Sequence, residues 1–150
     1  MKFFSRLSAR PIIAAIAGTT IALGSAAHGF AAARVSLHAA LAGRNEVPVA
    51  PAAGHGRATV AVDSAKGQLC YTLTAKGSDT PTMAHIHKGA AGVAGPVVVP
   101  LDAPKDGASK GCASPPADVL AAIVANPSDY YVNIHTAAQP AGAMRGQLMK

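Results

Sequence analysis

The sequence predicts an all-β domain, an antiparallel β-sandwich or barrel-like fold with one short helix, behind an N-terminal signal peptide. Three observations predict it. Apolar and polar residues alternate with a period of two in several short windows, turn residues separate those windows at short intervals, and only one window carries helical spacing. A chain of 150 residues has room for one such domain.

The first 33 residues stand apart from it. Lys2, Arg6 and Arg10 form a basic start, residues 11–24 are uncharged and mostly apolar, and small residues follow. That order is the layout of a secretory signal, with cleavage after Ala27 or Ala33 and a mature domain over 34–150. The apolar run is shorter than the ~20 residues a bilayer span needs, so no membrane span is expected after cleavage. Removing the three basic residues from the chain's +6 leaves a mature charge of +3. The remaining Lys and Arg are scattered, which argues against a nucleic-acid partner, since that needs a clustered basic face. The expected location is periplasmic or secreted.

Within the mature part, Val35, Leu37, Ala39 and Leu41 alternate with Ser36, His38 and Ala40, the pattern of a half-buried strand. Residues 43–54 are rich in Pro, Gly and Ala and read as a loop. Residues 57–62 and 68–74 are rich in Val, Thr, Leu and Tyr and flank a turn at 63–67, which together predict a hairpin. A short strand is expected over 82–87, a Gly/Ala loop over 89–95, and a brief buried strand at 97–99. Residues 102–111 are polar, with Gly and Lys, and read as a surface loop. The helix is expected over 115–125. Ser114 is its candidate cap, Pro115 suits its first position, Asp118 favours the positive end of its dipole, and Leu120, Ile123 and Val124 form its apolar face. Asn126 and Pro127 stop it. Alternation resumes over 129–136, a turn lies at 139–142, and a last strand runs over 143–148.

Cys70 and Cys112 are the two cysteines of the chain. In an oxidising compartment an even pair favours a bridge over two free thiols. Closing the loop between them stabilises the fold by roughly 4 kcal/mol on loop entropy. With few aromatics and no Trp, the core is left to Val, Leu, Ile and Ala, which makes such a staple more useful.

Strand phase gathers the candidate functional residues. His85 and His87 point the same way, away from Ala84 and Ile86. Tyr131, Asn133 and His135 lie opposite Tyr130, Val132 and Ile134, and Arg145 and Gln147 lie opposite an inward Met144 and Leu148. Three imidazoles are a recurring donor set for copper or zinc, so His85, His87 and His135 are candidate metal ligands if their strands are neighbours. Otherwise they are sheet-surface groups bonded to each other and to water. No nucleophile elbow, Cys-x-x-Cys or phosphate loop is present, and no pair of carboxylates has the arrangement of a glycosidase, so no catalytic residues are assigned.

Six motifs in order carry a family resemblance: Asn45-Glu46-Val47-Pro48, Gly67-Gln68-Leu69-Cys70-Tyr71, Ala84-His85-Ile86-His87-Lys88-Gly89, Gly92-Val93-Ala94-Gly95-Pro96-Val97, Tyr131-Val132-Asn133-Ile134-His135-Thr136 and Arg145-Gly146-Gln147-Leu148. Over about 35–148 the chain resembles the CHRD domain, named from chordin, in its stand-alone bacterial exported form. The resemblance implies an extracellular β-domain without catalysis, a binding or structural module whose partner is an unknown extracellular protein or small ligand. It does not imply growth-factor binding, because the Cys-rich modules of chordin have no counterpart here. It also adds Asn45 and Glu46 to the candidate site, with Glu46 and Arg145 expected to pair at its rim and pin the 45–48 loop over the face. A weaker similarity, to Cu,Zn superoxide dismutase, rests on the His-x-His strand and the cysteine pair. No closely spaced His and Asp follow to make a second metal site, so redox activity is the lesser alternative to metal binding.

Overall fold

The computed structural model describes residues 34–51 and 53–150; the expected signal segment lies outside them. Eight strands form one antiparallel sheet that curls nearly into a barrel: β1 (Val35–Ala42), β2 (His55–Asp63), β3 (Gln68–Lys76), β4 (Pro81–Lys88), β5 (Val97–Leu101), β6 (Ala108–Ala113), β7 (Tyr130–Thr136) and β8 (Met144–Gln147). Their order across the sheet is β5-β4-β7-β8-β1-β2-β3-β6. One α-helix, α1 (Ala117–Ala125), lies between β6 and β7. No helix among the described residues is long and apolar enough to cross a membrane.

Alternation builds the core. Leu37, Val60, Val62, Leu69, Leu73, Ile86, Val132, Ile134 and Met144 point inward and are fully buried. Leu120 and Ile123 add the apolar face of α1, with Val124 packed beside them. The expected hairpin forms, with Val60 opposite Tyr71 and Asp63 opposite Gln68.

The helix starts later than expected. Pro116, not Ser114, stands at its N-cap, and no side chain caps it. A residue before proline is driven out of the helical region, which removes Pro115 from the helix; Pro116 is itself extended, with ψ at 147°, and the helix begins at Ala117. Asp118 keeps its place in the first turn. The strand at 97–99 is also less buried than expected: Val97 is exposed and only Val99 and Leu101 point in, because the β4–β5 register slips between Ile86 and His87.

The largest correction is at 102–111. Its second half is not loop but the start of β6, an edge strand paired to β3 from Leu69 opposite Ala113 to Thr74 opposite Ala108. It lacks an apolar stripe because its partner supplies what holds it. Cys70 and Cys112 are direct cross-strand neighbours and are bridged, their Cα atoms 3.9 Å apart. Tyr71 also crosses β6 at Gly111, where a Cβ would stand 2.6 Å from the Tyr71 hydroxyl. That hydroxyl donates to the Asp102 carboxylate (3.0 Å) and accepts from the Asp102 amide (2.8 Å), while Ser109 donates to the Asp102 carbonyl (2.7 Å). Side chains thus join the β5 and β6 edges where no backbone ladder does, and they cover an edge that would otherwise invite pairing.

Candidate metal centre

The site lies on β4, β7 and β8, on the face opposite the core. Register sets its residues in rows. His87 stands opposite Tyr131, and Tyr131 opposite Gln147; His85 stands opposite Asn133, and Asn133 opposite Arg145; Met83 stands opposite His135. Directly opposed residues share a face, so these side chains meet.

This face is not the open sheet surface that alternation suggests. Every residue of β7 is buried, Tyr131 and Asn133 each at 1% exposure, because three loops lie over it. Each loop is tied down by the residues it covers. In the 89–96 loop, the Gly95 carbonyl accepts from His87 Nδ1 (2.8 Å), the Gly95 amide donates to the Tyr131 hydroxyl (3.1 Å), and the Val93 carbonyl accepts from Arg145 (3.3 Å). In the 137–143 loop, the Pro140 carbonyl accepts from His135 Nδ1 (3.1 Å). In the 43–54 loop, Glu46 Oε2 accepts from Arg145 Nε at 2.6 Å and Asn45 Nδ2 donates to the Arg145 carbonyl (3.1 Å).

Glu46 and Arg145 therefore pair, but inside the protein rather than at a rim: each is 3% exposed. Burial pushes the Glu46 carboxyl up, and the Arg145 guanidinium acts in the opposite sense. The arginine also lies 4.5 Å from the centroid of the Tyr131 ring. Gly142 makes room for the acid. Its φ is +143°, and a Cβ there would stand 2.5 Å from Glu46 Oε2.

Ring nitrogens of His85, His87 and His135 lie within 4.8 Å of one another. The tautomers follow from the partners. A carbonyl oxygen only accepts, so His87 and His135 each carry a proton on Nδ1 and a lone pair on Nε2. His135 Nε2 lies 3.2 Å from His85 Nδ1, while His87 Nε2 is buried with no hydrogen-bond partner among the described residues. His87 is stacked on Tyr131, the ring centroids 4.9 Å apart. All three imidazoles have pKa values held below the ordinary value of 6.5, first by burial. Like charge adds to this, from His135 and His87 on His85, from Arg145 on His87, and from His87 and Arg145 on His135; the carbonyls of Gly95 and Pro140 pull the other way. The group is thus neutral near pH 7, the state in which imidazole ligates.

The donor set fits a copper or zinc ion. Two ligand rings already donate their far N–H to a backbone carbonyl, the outer contact that orients metal-binding histidines. A tetrahedral ion with nitrogen ligands at about 2.05 Å sets them roughly 3.3 Å apart, close to the His85–His135 spacing. Phase puts Tyr131 and Gln147 on this face but does not say what they bind, and it says nothing of Gly142. Tyr131 reads as one more strand aromatic and Gly142 as a turn residue. Gln147 Nε2 lies 2.6 Å from the Ser128 carbonyl and 3.0 Å from that of Gly89, contacts that only the folded loops create.

No curated protein and no solved structure matches this chain. A family model described as the CHRD domain matches residues 37–148, which take in most of β1, all three site strands and the loops over them, and the chain belongs to the CHRD domain family.

Proposed function

We propose that this chain is an exported, non-catalytic CHRD module whose covered face binds one copper or zinc ion through His85, His87 and His135. The observation that carries the reading is the His87 Nε2 lone pair. It is buried, no group among the described residues accepts or donates there, and two more imidazoles stand beside it. Leaving a buried polar atom unpaired costs about 1–3 kcal/mol, which a bound ion would recover. Export is supported by the basic, apolar and small-residue order of residues 1–33 and by the Cys70–Cys112 bridge, a feature of oxidising compartments.

Calorimetric titration of copper(II) and zinc(II) into the mature protein at neutral pH tests this. The expected result is one ion per chain in wild type and none in His87→Ala or His135→Ala. Wild-type protein that takes up neither ion would refute the metal reading and leave an extracellular module for another ligand. A superoxide turnover assay on copper-loaded protein separates binding from redox catalysis, and no turnover above that of a histidine-free control is expected. Mass spectrometry of protein from the producing cell checks export, through an N-terminus after Ala27 or Ala33.

A further inference from the structure

We propose that Met83 supplies a thioether as the fourth ligand of this site and so makes its ion copper, held best as copper(I). The inference rests on the three-histidine reading above and goes further, to the identity of the metal.

Met83 is a large apolar residue that the core does not use. It is 46% exposed on a strand whose Ala84 and Ile86 are fully buried. Its position places it at the imidazoles. Alternation along β4 puts Met83, His85 and His87 on one face, and register sets Met83 directly opposite His135. Directly opposed Cβ atoms on one face lie about 4.5–5.5 Å apart. The sulfur stands two bonds beyond Cβ on a side chain with three rotatable bonds, so it can reach an ion beside His135 without moving the backbone. Exposure leaves it free to do so. His85, the one half-buried imidazole, opens the cluster to solvent on β4 itself. The remaining polar neighbours in these rows, Asn133 and Arg145, are buried on β7 and β8, away from that opening.

The sulfur decides the metal. Imidazole serves zinc and copper alike, whereas zinc takes its sulfur from charged thiolates and a neutral, soft thioether suits copper(I). Three imidazoles and one thioether are all neutral, which suits a singly charged ion buried near the Arg145 guanidinium better than a doubly charged one.

The test measures copper(I) affinity of the mature protein anaerobically, by competition with a chromophoric copper(I) chelator, and zinc(II) affinity by calorimetry. Met83→Leu should weaken copper(I) binding by roughly tenfold or more while moving zinc(II) affinity by less than about threefold. Met149→Leu is the control, since Met149 is also exposed and faces a histidine, His38, but stands outside the cluster. It should change neither. The copper X-ray absorption spectrum should show a sulfur neighbour in wild type and none in Met83→Leu. Unchanged copper(I) affinity and an unchanged spectrum in Met83→Leu overturn the role of Met83 and leave the three-histidine site standing. Wild-type protein that binds neither ion overturns both.

Discussion

Strands β1, β2 and β3 bury one face and leave the other to solvent, whereas β7 buries both. In the first group Ser36, His38, Arg57, Thr59 and Thr72 are exposed between core residues. On β7 the residues between core positions are as buried as the core itself. One sheet therefore holds two kinds of face, and what differs is the chain that follows the strands. The open part is joined to β6 by a disulfide and held by ladder bonds. The covered part is roofed by three loops whose carbonyls and one carboxylate take the polar side chains beneath them. Its ion pairs differ in the same way. Asp63 meets Arg34 and Lys66 at 3.5 and 3.8 Å with both cations mostly exposed, a setting in which ion pairs contribute under about 1 kcal/mol. Glu46 and Arg145 meet with both side chains buried.

The largest expected effect is at that buried pair. Glu46→Ala strands the guanidinium of Arg145 out of water, and breaking a buried pair in this way costs about 3–5 kcal/mol. Urea unfolding should show a fall of that size. A loss as small as an exposed pair gives would mean that the loops do not seal this face, and the contrast between the two parts would fail.

Next in size is the staple of the open part. Replacing Cys70 and Cys112 together by Ser should cost about 2–4 kcal/mol, read by the same unfolding measurement. Metal uptake should survive, because the bridge lies on β3 and β6 and none of the three imidazoles stands on either strand. Loss of uptake in a folded double variant would show that the two parts are not independent.

The finest test is acid. His85, His87 and His135 resist protonation in the folded chain, chiefly through burial, so the unfolded chain binds more protons once pH falls below 6.5. Their contribution to stability is complete above that pH and is lost as pH falls toward the depressed folded values. The melting temperature of metal-free protein should drop with acidification from about pH 7 to pH 5. A flat profile across that window would mean that the three rings are solvated, like the outer face of β1 and β2.

Much of this was legible before folding. Period-two alternation identifies β1 and β7, strand-forming composition on either side of a turn identifies the β2–β3 hairpin, and phase separates His85, His87, Asn133, His135 and Arg145 from the core, because side-chain direction on a strand is a local property of the backbone. The cysteine count and the signal-like order of 1–33 predict the bridge, which forms. What was not legible is non-local. No local pattern marks 108–113 as a strand, since Tyr71, Asp102 and the disulfide hold it from outside. Pro116 takes the N-cap place that local pattern assigns to Ser114. Alternation says which way Asn133 and Arg145 point but not that loops bury them, because burial depends on chain that arrives from tens of residues away. The sequence by itself determined the strands other than β6, their phase and the kinds of ligand atom they present. Only the tertiary structure decided that β4, β7 and β8 are neighbours and that their polar face is dry. Strand order and loop closure are set by contacts between distant segments, which no window of sequence contains.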